Sequence, residues 1–172
     1  MKKRLWIIII IAFIAILCTC ALILSRKNKD ISELRVIAEK SYINYAWGFQ
    51  YKGEAILNDG TIVKWSYLGS RIDSHFLQKE MIEQSNWIIN NSDIKIEKVS
   101  NKDLKDLNKY INKIQNQFEY ESSQGADLGA NCVKIYNYEE GEIFELSQTG
   151  DWVGNNNSED AKKCLQLIEK YL

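Results

Sequence analysis

Residues 47–67 read WGFQYKGEAILNDGTIVKWSY and predict a β-hairpin. Two runs rich in apolar, β-branched and aromatic residues, 55–57 and 62–67, flank the Asn-Asp-Gly sequence at residues 58–60. Asp and Gly both tolerate the positive φ that tight hairpin turns require, so Asp-Gly between two such runs is a strong hairpin signal. The two runs are therefore expected to pair as antiparallel strands.

A strand and a helix are predicted on the N-terminal side of this hairpin. Trp47, Phe49 and Tyr51 recur at every second residue, which places them on one face of a strand. Gly53 is expected to mark a bulge or a break in that strand. Residues 30–45 begin with a capping-box sequence, Asp-Ile-Ser-Glu, and continue with apolar residues at helical spacing, so they predict an amphipathic helix.

The remainder of the chain predicts three more helices and a second hairpin. We expect helices over about 74–88, 101–118 and 159–172. We also expect an edge strand over 94–99, a hairpin that pairs 132–138 with 143–146, and a turn over 150–157. The predicted fold class is α+β, with an antiparallel sheet containing two hairpins and about four helices on one side.

An uncharged apolar segment precedes the domain. Residues 5–24 contain no charged side chain, and 20 residues at a rise of about 1.5 Å each cross a hydrocarbon core of about 30 Å. We therefore expect a transmembrane anchor over residues 1–24, a polar linker over 25–29 and one α+β domain over 30–172. The expected location is the cell membrane, with a single pass.

The same segment has two alternative interpretations. In a lipoprotein signal Cys20 would carry the lipid, but Thr19 is unusual before such a cysteine and the apolar run continues to residue 24. A cleaved signal peptide usually has a shorter apolar core and a small-residue cleavage motif. Basic residues lie on both sides of the segment, so the orientation rests on the short N-terminal tail, which favours an extracytoplasmic domain.

The charge of the domain argues against nucleic acid as a partner. The chain has 22 basic and 23 acidic residues, and three of the basic residues, at positions 2–4, precede the apolar segment. Residues 25–172 therefore carry 19 basic and 23 acidic residues, a net charge of −4. Nucleic-acid-binding domains usually present a clustered basic face, which an acidic domain of this kind does not predict.

A group of aromatic residues near the first hairpin is the most suggestive feature for ligand binding. Its members are Tyr45, Trp47, Phe49, Tyr51 and Trp65. Exposed aromatic rings could stack on the sugar rings of a cell-wall glycan, whereas buried rings would supply core. Both interpretations remain open, and burial is the more common role of such residues.

The sequence offers little chemistry for catalysis. Cys132 and Cys164 could form a disulfide if their predicted strand and helix pack together, or they could remain buried thiols. Cys132 and His75, the only histidine, could be considered as the catalytic pair of a sortase-type transpeptidase. Such enzymes also place an arginine after the cysteine, whereas all four arginines of this chain precede Cys132. No catalytic residue, metal site or cofactor motif is predicted.

Three stretches carry a resemblance to known proteins. They are NYAWGF at residues 44–49, the hairpin over 53–65, and GDWVG at residues 150–154. They resemble small, uncharacterised membrane-anchored or lipoprotein-like extracytoplasmic proteins of low-GC Gram-positive bacteria, and the resemblance implies a cell-envelope location without functional residues. We expect a non-enzymatic domain that binds a protein or cell-wall partner. A wall-acting hydrolase or transferase and an immunity or inhibitor-type protein are the alternatives.

Overall fold

Eight strands and three α-helices form the described part of the chain, residues 34–46 and 48–172 of a computed structural model. The strands are β1 (Val36–Asn44), β2 (Phe49–Leu57), β3 (Thr61–Gly69), β4 (Asp93–Lys98), β5 (Phe118–Ser123), β6 (Ala130–Asn137), β7 (Glu142–Gly150) and β8 (Trp152–Asn156). The helices are α1 (Met81–Asn90), α2 (Asn101–Ile111) and α3 (Glu159–Glu169), and a 3-10 helix (Arg71–Gln78) precedes α1. The strands form one antiparallel sheet in the order β4-β3-β2-β1-β6-β7-β8-β5. The predicted α+β class is confirmed.

The predicted membrane anchor falls outside this description. Residues 1–24, the linker over 25–29 and Cys20 all precede the first described residue, Leu34. Within residues 34–46 and 48–172, no helix has the length and apolar character needed to cross a membrane. The compact unit of the described chain is Arg35–Leu172.

Both predicted hairpins are confirmed. In the first, β2 and β3 pair around residues 58–60, where Gly60 has φ +81°. The Asp59 carboxylate accepts hydrogen bonds from the backbone N–H and the hydroxyl of Thr61, at 2.9 and 2.8 Å, and these bonds fix the turn. In the second, β6 pairs with β7 along its full length, with one register shift beyond Val133.

The predicted helix over residues 31–45 is wrong, because this segment contains β1. The strand pairs with β2 on one side and with β6 on the other, and so lies at the centre of the sheet. A central strand is buried on both faces, so its first four residues, Val36–Glu39, are all buried and leave no alternation for a sequence pattern to detect. The stabilisation that β1 gains by pairing with two neighbouring strands outweighs the preference for a helix that the spacing of its apolar residues indicates.

Two further predictions are corrected in the C-terminal half. The segment expected to be a turn over 150–157 contains β8, and Phe118 begins β5 instead of ending a helix. The helix ends at Ile111, whose carbonyl oxygen accepts a hydrogen bond from the Asn137 side chain at 3.3 Å. The two strands pair with each other and complete the β5 edge of the sheet.

The helix count is smaller than predicted. The described residues contain three α-helices instead of about four, because the first predicted helix is a strand. Serine side chains cap two of the helices: Ser100 accepts a hydrogen bond from the backbone N–H of Asp103, and Ser158 accepts one from the backbone N–H of Ala161. The expected helix over 74–88 is divided into the 3-10 helix and α1.

Helices cover both faces of the sheet rather than one. On one face, here called the two-helix face, α2 and α3 pack on Ile56, Ile135 and Phe144 in the main hydrophobic cluster. On the other, here called the one-helix face, Phe76 of the 3-10 helix and Trp87 of α1 pack against Tyr51. Successive strand residues point to opposite faces, which separates these two sets.

Candidate functional site

A buried carboxylate lies at the centre of the one-helix face. Glu39 of β1 is 1% exposed, and its oxygens accept three hydrogen bonds. The hydroxyl of Tyr136 donates at 2.6 Å, that of Tyr51 at 3.2 Å and that of Ser41 at 3.0 Å. A buried charge is costly unless it is paired and hydrogen-bonded, and these donors meet that requirement.

A lysine links this carboxylate to a second one. Glu39, Lys134 and Glu145 lie directly opposite one another on β1, β6 and β7. The Lys134 Nζ lies 3.9 Å from a Glu39 oxygen and 4.0 Å from a Glu145 oxygen. Burial acts to lower the pKa of Lys134, but the two carboxylates and Cys132 raise it above its ordinary value, so the ammonium stays charged.

The phenols around Glu39 stay protonated. Burial first, and then the charge of Glu39 and its hydrogen bonds, raise the pKa of both Tyr51 and Tyr136 well above the usual value for tyrosine. Both hydroxyls therefore remain hydrogen-bond donors at physiological pH. The result is a fixed polar layer of one carboxylate, two phenols and one ammonium inside the domain.

A pocket of about 300 Å³ opens over the Lys134 end of this layer. Its polar lining includes Lys134, Glu145 and Gln148, and two exposed aromatic residues, Tyr45 and Trp152, also line it. Tyr45 is 45% exposed and Trp152 is 52% exposed. We call this cavity the aromatic-lined pocket.

The walls of the aromatic-lined pocket are held by hydrogen bonds between loops. The Asn44 side chain donates to the carbonyl oxygen of Asp127 at 3.3 Å and accepts from the backbone N–H of Ala46 at 2.7 Å. The Asp151 carboxylate accepts from the backbone N–H of Leu128 at 2.7 Å. These bonds join the end of β1, the loop before β6 and the β7–β8 turn, so the pocket is largely preformed.

A third exposed aromatic residue extends the same surface. The ring of Tyr120 on β5 lies edge-on to that of Trp152, with centroids 5.9 Å apart. Burial and the nearby Glu145 carboxylate raise the pKa of Tyr120. Tyr120 therefore extends the exposed aromatic surface from Trp152 onto the edge strand β5.

The aromatic residues singled out in the sequence have different locations. Phe49, Tyr51 and Trp65 are buried in the core, so stacking on an external ligand is excluded for these three. Tyr45 is exposed and lines the aromatic-lined pocket. Trp47 lies outside the described residues. Of the five aromatic candidates, Tyr45 is the one that the described structure shows both exposed and at a cavity.

The two cysteines of the domain are free thiols, so the alternative of a disulfide between them is wrong. Cys132 shares the one-helix face with Ser41, its cross-strand neighbour, whereas Cys164 lies in the hydrophobic cluster of the two-helix face. The sheet separates them. Burial raises the pKa of Cys132 to about 11 and that of Cys164 to about 12, so neither is a thiolate at neutral pH.

His75 does not join Cys132. It lies exposed on the 3-10 helix, and it is not among the residues that line the cavities beside Cys132. A thiol that stays protonated and has no imidazole beside it is a poor nucleophile. In the described part of the chain, no three His, Cys, Asp or Glu side chains are grouped so that they could hold a metal ion.

Five residues of the site were not singled out from the sequence. Trp152 lies in the segment predicted to be a turn, and Glu39 lies in the segment predicted to be the first helix, which is the strand β1. Lys134, Glu145 and Gln148 come together through strand register alone, so no short motif could mark them. Comparison of the chain with models of protein families, with curated proteins and with solved structures finds no match.

Proposed function

We propose that this protein is a membrane-anchored, cell-envelope binding protein without enzymatic activity, and that the aromatic-lined pocket takes a sugar ring of a cell-wall glycan. The anchor is the apolar segment over residues 5–24, with the domain outside the membrane. The observation that carries the ligand class is the pairing of exposed Tyr45 and Trp152 with an amide and opposite charges in one cavity.

The exposed rings support a ligand with an apolar face. Aromatic side chains present a large flat apolar surface, and one that is half exposed at a cavity is available for stacking. A sugar ring has an apolar C–H face and a rim of hydroxyls. Tyr45 and Trp152 would meet the face, and the side chains between them would meet the rim.

The polar lining supports a neutral ligand rich in hydroxyls. Lys134 donates, Glu145 accepts, and the Gln148 amide does both. The lining carries one ammonium, that of Lys134, and three carboxylates, those of Glu145, Asp127 and Asp151, so the pocket disfavours an anionic ligand. A volume of about 300 Å³ is at the small end for ligand pockets and suits one or two rings.

The geometry of the titratable groups disfavours an enzyme. Glu39 is buried and its oxygens are occupied by phenols and a hydroxyl, so it cannot reach a substrate. Lys134 remains charged beside its two carboxylates, and Cys132 remains a thiol. A general acid or base needs a pKa near the working pH and access to the reacting group. Glu39 lacks access to a substrate, and Lys134 and Cys132 lack a pKa near neutral pH.

The test is retention of the full chain on purified, insoluble peptidoglycan. The protein is kept in a detergent without a sugar headgroup, because such headgroups would compete for the pocket. We expect the wild type to sediment with the glycan, Trp152→Ala to be retained much less, and Leu68→Ala to behave as wild type. Leu68 is an exposed apolar residue of β3 on the two-helix face, away from the pocket. Equal retention of the wild type and Trp152→Ala, or no retention of the wild type, would refute the proposal.

A further inference from the structure

The aromatic-lined pocket contains a buried amide that has no partner inside the described domain. Gln148 of β7 is 9% exposed and lines this pocket. Within residues 34–46 and 48–172, its side chain forms no hydrogen bond. A buried polar group normally has such a partner, because losing water without replacement costs free energy. The amide of Gln148 therefore favours a polar occupant that meets its N–H and C=O groups.

Two aspartates meet at the loop end of the same pocket. The Asp151 carboxylate accepts a hydrogen bond of 2.7 Å from the backbone N–H of Leu128, which is the residue directly after Asp127. Asp127 and Asp151 both line the pocket. In the part of the chain that the structure describes, neither forms an ion pair with a lysine or an arginine. This end of the pocket is therefore negatively charged without a cation of its own.

The lysine that lines the pocket does not neutralise the two aspartates. The Lys134 Nζ already has two carboxylate partners, Glu39 at 3.9 Å and Glu145 at 4.0 Å. Lys134 also lies four residues along β6 from Ala130, which belongs to the loop end. Four residues of extended strand span about 13 Å. The positive charge of Lys134 is therefore committed to its own pair of carboxylates, at the other end of the pocket.

The exposed aromatic rings of the pocket add to its attraction for a cation. Trp152 directly follows Asp151 in the chain, and it lines the pocket together with Tyr45. The face of an aromatic ring attracts a cation, and tryptophan does so most strongly. Carboxylates and aromatic faces in one cavity therefore favour a ligand that carries a positive charge beside an apolar surface.

We propose that the aromatic-lined pocket selects an amino sugar whose amine is free, with the ammonium held by Asp127 and Asp151 and the ring hydroxyls bound by Gln148. This inference rests on the sugar-binding function proposed above and specifies the substituent on the ring. A protonated amine has N–H donors that match the carboxylate oxygens, and such charge-assisted hydrogen bonds are strong. An N-acetylated ring keeps the apolar face and the hydroxyls, so it still binds, but it lacks the charge contact.

The test is isothermal titration calorimetry of the full chain in an uncharged detergent without a sugar headgroup, slightly below neutral pH and at low salt. The probes are the glucosamine disaccharide and the N-acetylated form of the same disaccharide. We expect the amine form to bind about ten-fold more tightly, and this preference should shrink as salt screens the charges. Equal affinities, or a preference that salt leaves unchanged, would overturn the inference while the proposed sugar binding stands. Binding of neither disaccharide would overturn both.

Variants assign the preference to the two aspartates. The double variant Asp127→Asn, Asp151→Asn keeps the side-chain shapes and an oxygen that accepts from the Leu128 N–H. We expect it to bind both disaccharides equally, with the wild-type affinity for the N-acetylated form. Asp93→Asn, at an exposed position of β4, is the matched control and should keep the wild-type preference.

The single variant Asp127→Asn keeps the test decisive if the double variant unfolds at lower urea. Asp127 is exposed, so its substitution should leave the fold intact and reduce the preference about three-fold. A preference as large as that of the wild type, in either aspartate variant, would overturn the inference.

Discussion

The hydroxyl of Tyr136 donates a hydrogen bond of 2.6 Å to the buried carboxylate of Glu39, and so joins β6 to β1 inside the domain. Tyr51 donates to the same oxygen from β2, on the other side of the central strand. Through Lys134, the carboxylate also connects to the lining of the aromatic-lined pocket. The polar layer therefore links the stability of the sheet centre to the shape of the pocket.

We expect Glu39→Ala to be strongly destabilising. Without the carboxylate, the phenols of Tyr51 and Tyr136 lose their acceptor and Lys134 loses a buried partner. Breaking a buried ionic network in this way typically costs about 3–5 kcal/mol, and removing one hydroxyl by Tyr136→Phe should cost about 1–3 kcal/mol. Urea unfolding gives both values. The control is Tyr110→Phe on α2, which leaves the buried network intact. If Glu39→Ala lowered the free energy of unfolding no more than Tyr110→Phe does, the account would be contradicted.

Stability should fall steeply at alkaline pH. The folded-state pKa of Tyr51 and Tyr136 is raised above the ordinary value of 10.0, chiefly by burial and then by Glu39. A group with a raised folded-state pKa contributes its full stability below the unfolded pKa and loses it as the pH rises through the folded value. The free energy of unfolding should therefore decline above pH 10.0. In Tyr136→Phe the decline should be shallower, and an unchanged slope would show that this phenol does not titrate with unfolding.

The thiols of Cys132 and Cys164 should be unreactive in the folded protein. Burial raises their pKa to about 11 and about 12, and the thiolate is the reactive form. Alkylation at neutral pH, followed by mass spectrometry of the peptides that contain them, should show little labelling of the native chain. Full labelling is expected after unfolding without a reductant. Peptides that stay linked and unlabelled until a reductant is added would reveal a disulfide instead.

Gly53 should not tolerate a side chain. It pairs in register with Ser41 and Trp65, and a Cβ atom here would lie 2.5 Å from the carbonyl oxygen of Lys40 and 2.8 Å from the Trp65 ring. Overpacking of this kind typically costs about 1–3 kcal/mol, so Gly53→Ala should lower the urea midpoint clearly. Gly125→Ala, in an exposed loop whose nearest contact is a Leu128 methyl group, is the control and should be nearly neutral. Equal midpoints would contradict the packing around Trp65.

Much of the fold follows from local signals in the sequence. The Asp-Gly turn, the second hairpin and the helix caps at Ser100 and Ser158 depend on short-range chemistry, and the structure contains them all. β1 does not follow from such signals, because its conformation depends on two neighbours that are distant in the chain. β8 is short and rich in Gly and Asn, and it is a strand because β5 and β7 flank it.

The candidate site is less predictable than the fold. Tyr45 belongs to an aromatic cluster that is evident in the sequence, but the same cluster contains Phe49 and Tyr51, which are core residues. Composition does not distinguish a stacking ring from a buried one, since both are apolar and flat. Glu39 and Lys134 meet only through the pairing of β1 with β6, which brings together residues far apart in the chain.

The central claim is that Tyr45 and Trp152 together form a sugar-binding surface. Its most direct test is calorimetric titration of the full chain with soluble, uncharged oligosaccharides released from peptidoglycan. We predict saturable binding that Tyr45→Ala and Trp152→Ala each weaken about ten-fold or more, as truncation of an aromatic contact residue usually does, while Leu68→Ala has no effect. An affinity that is the same in the wild type and in both aromatic variants would contradict the claim, as would the absence of binding.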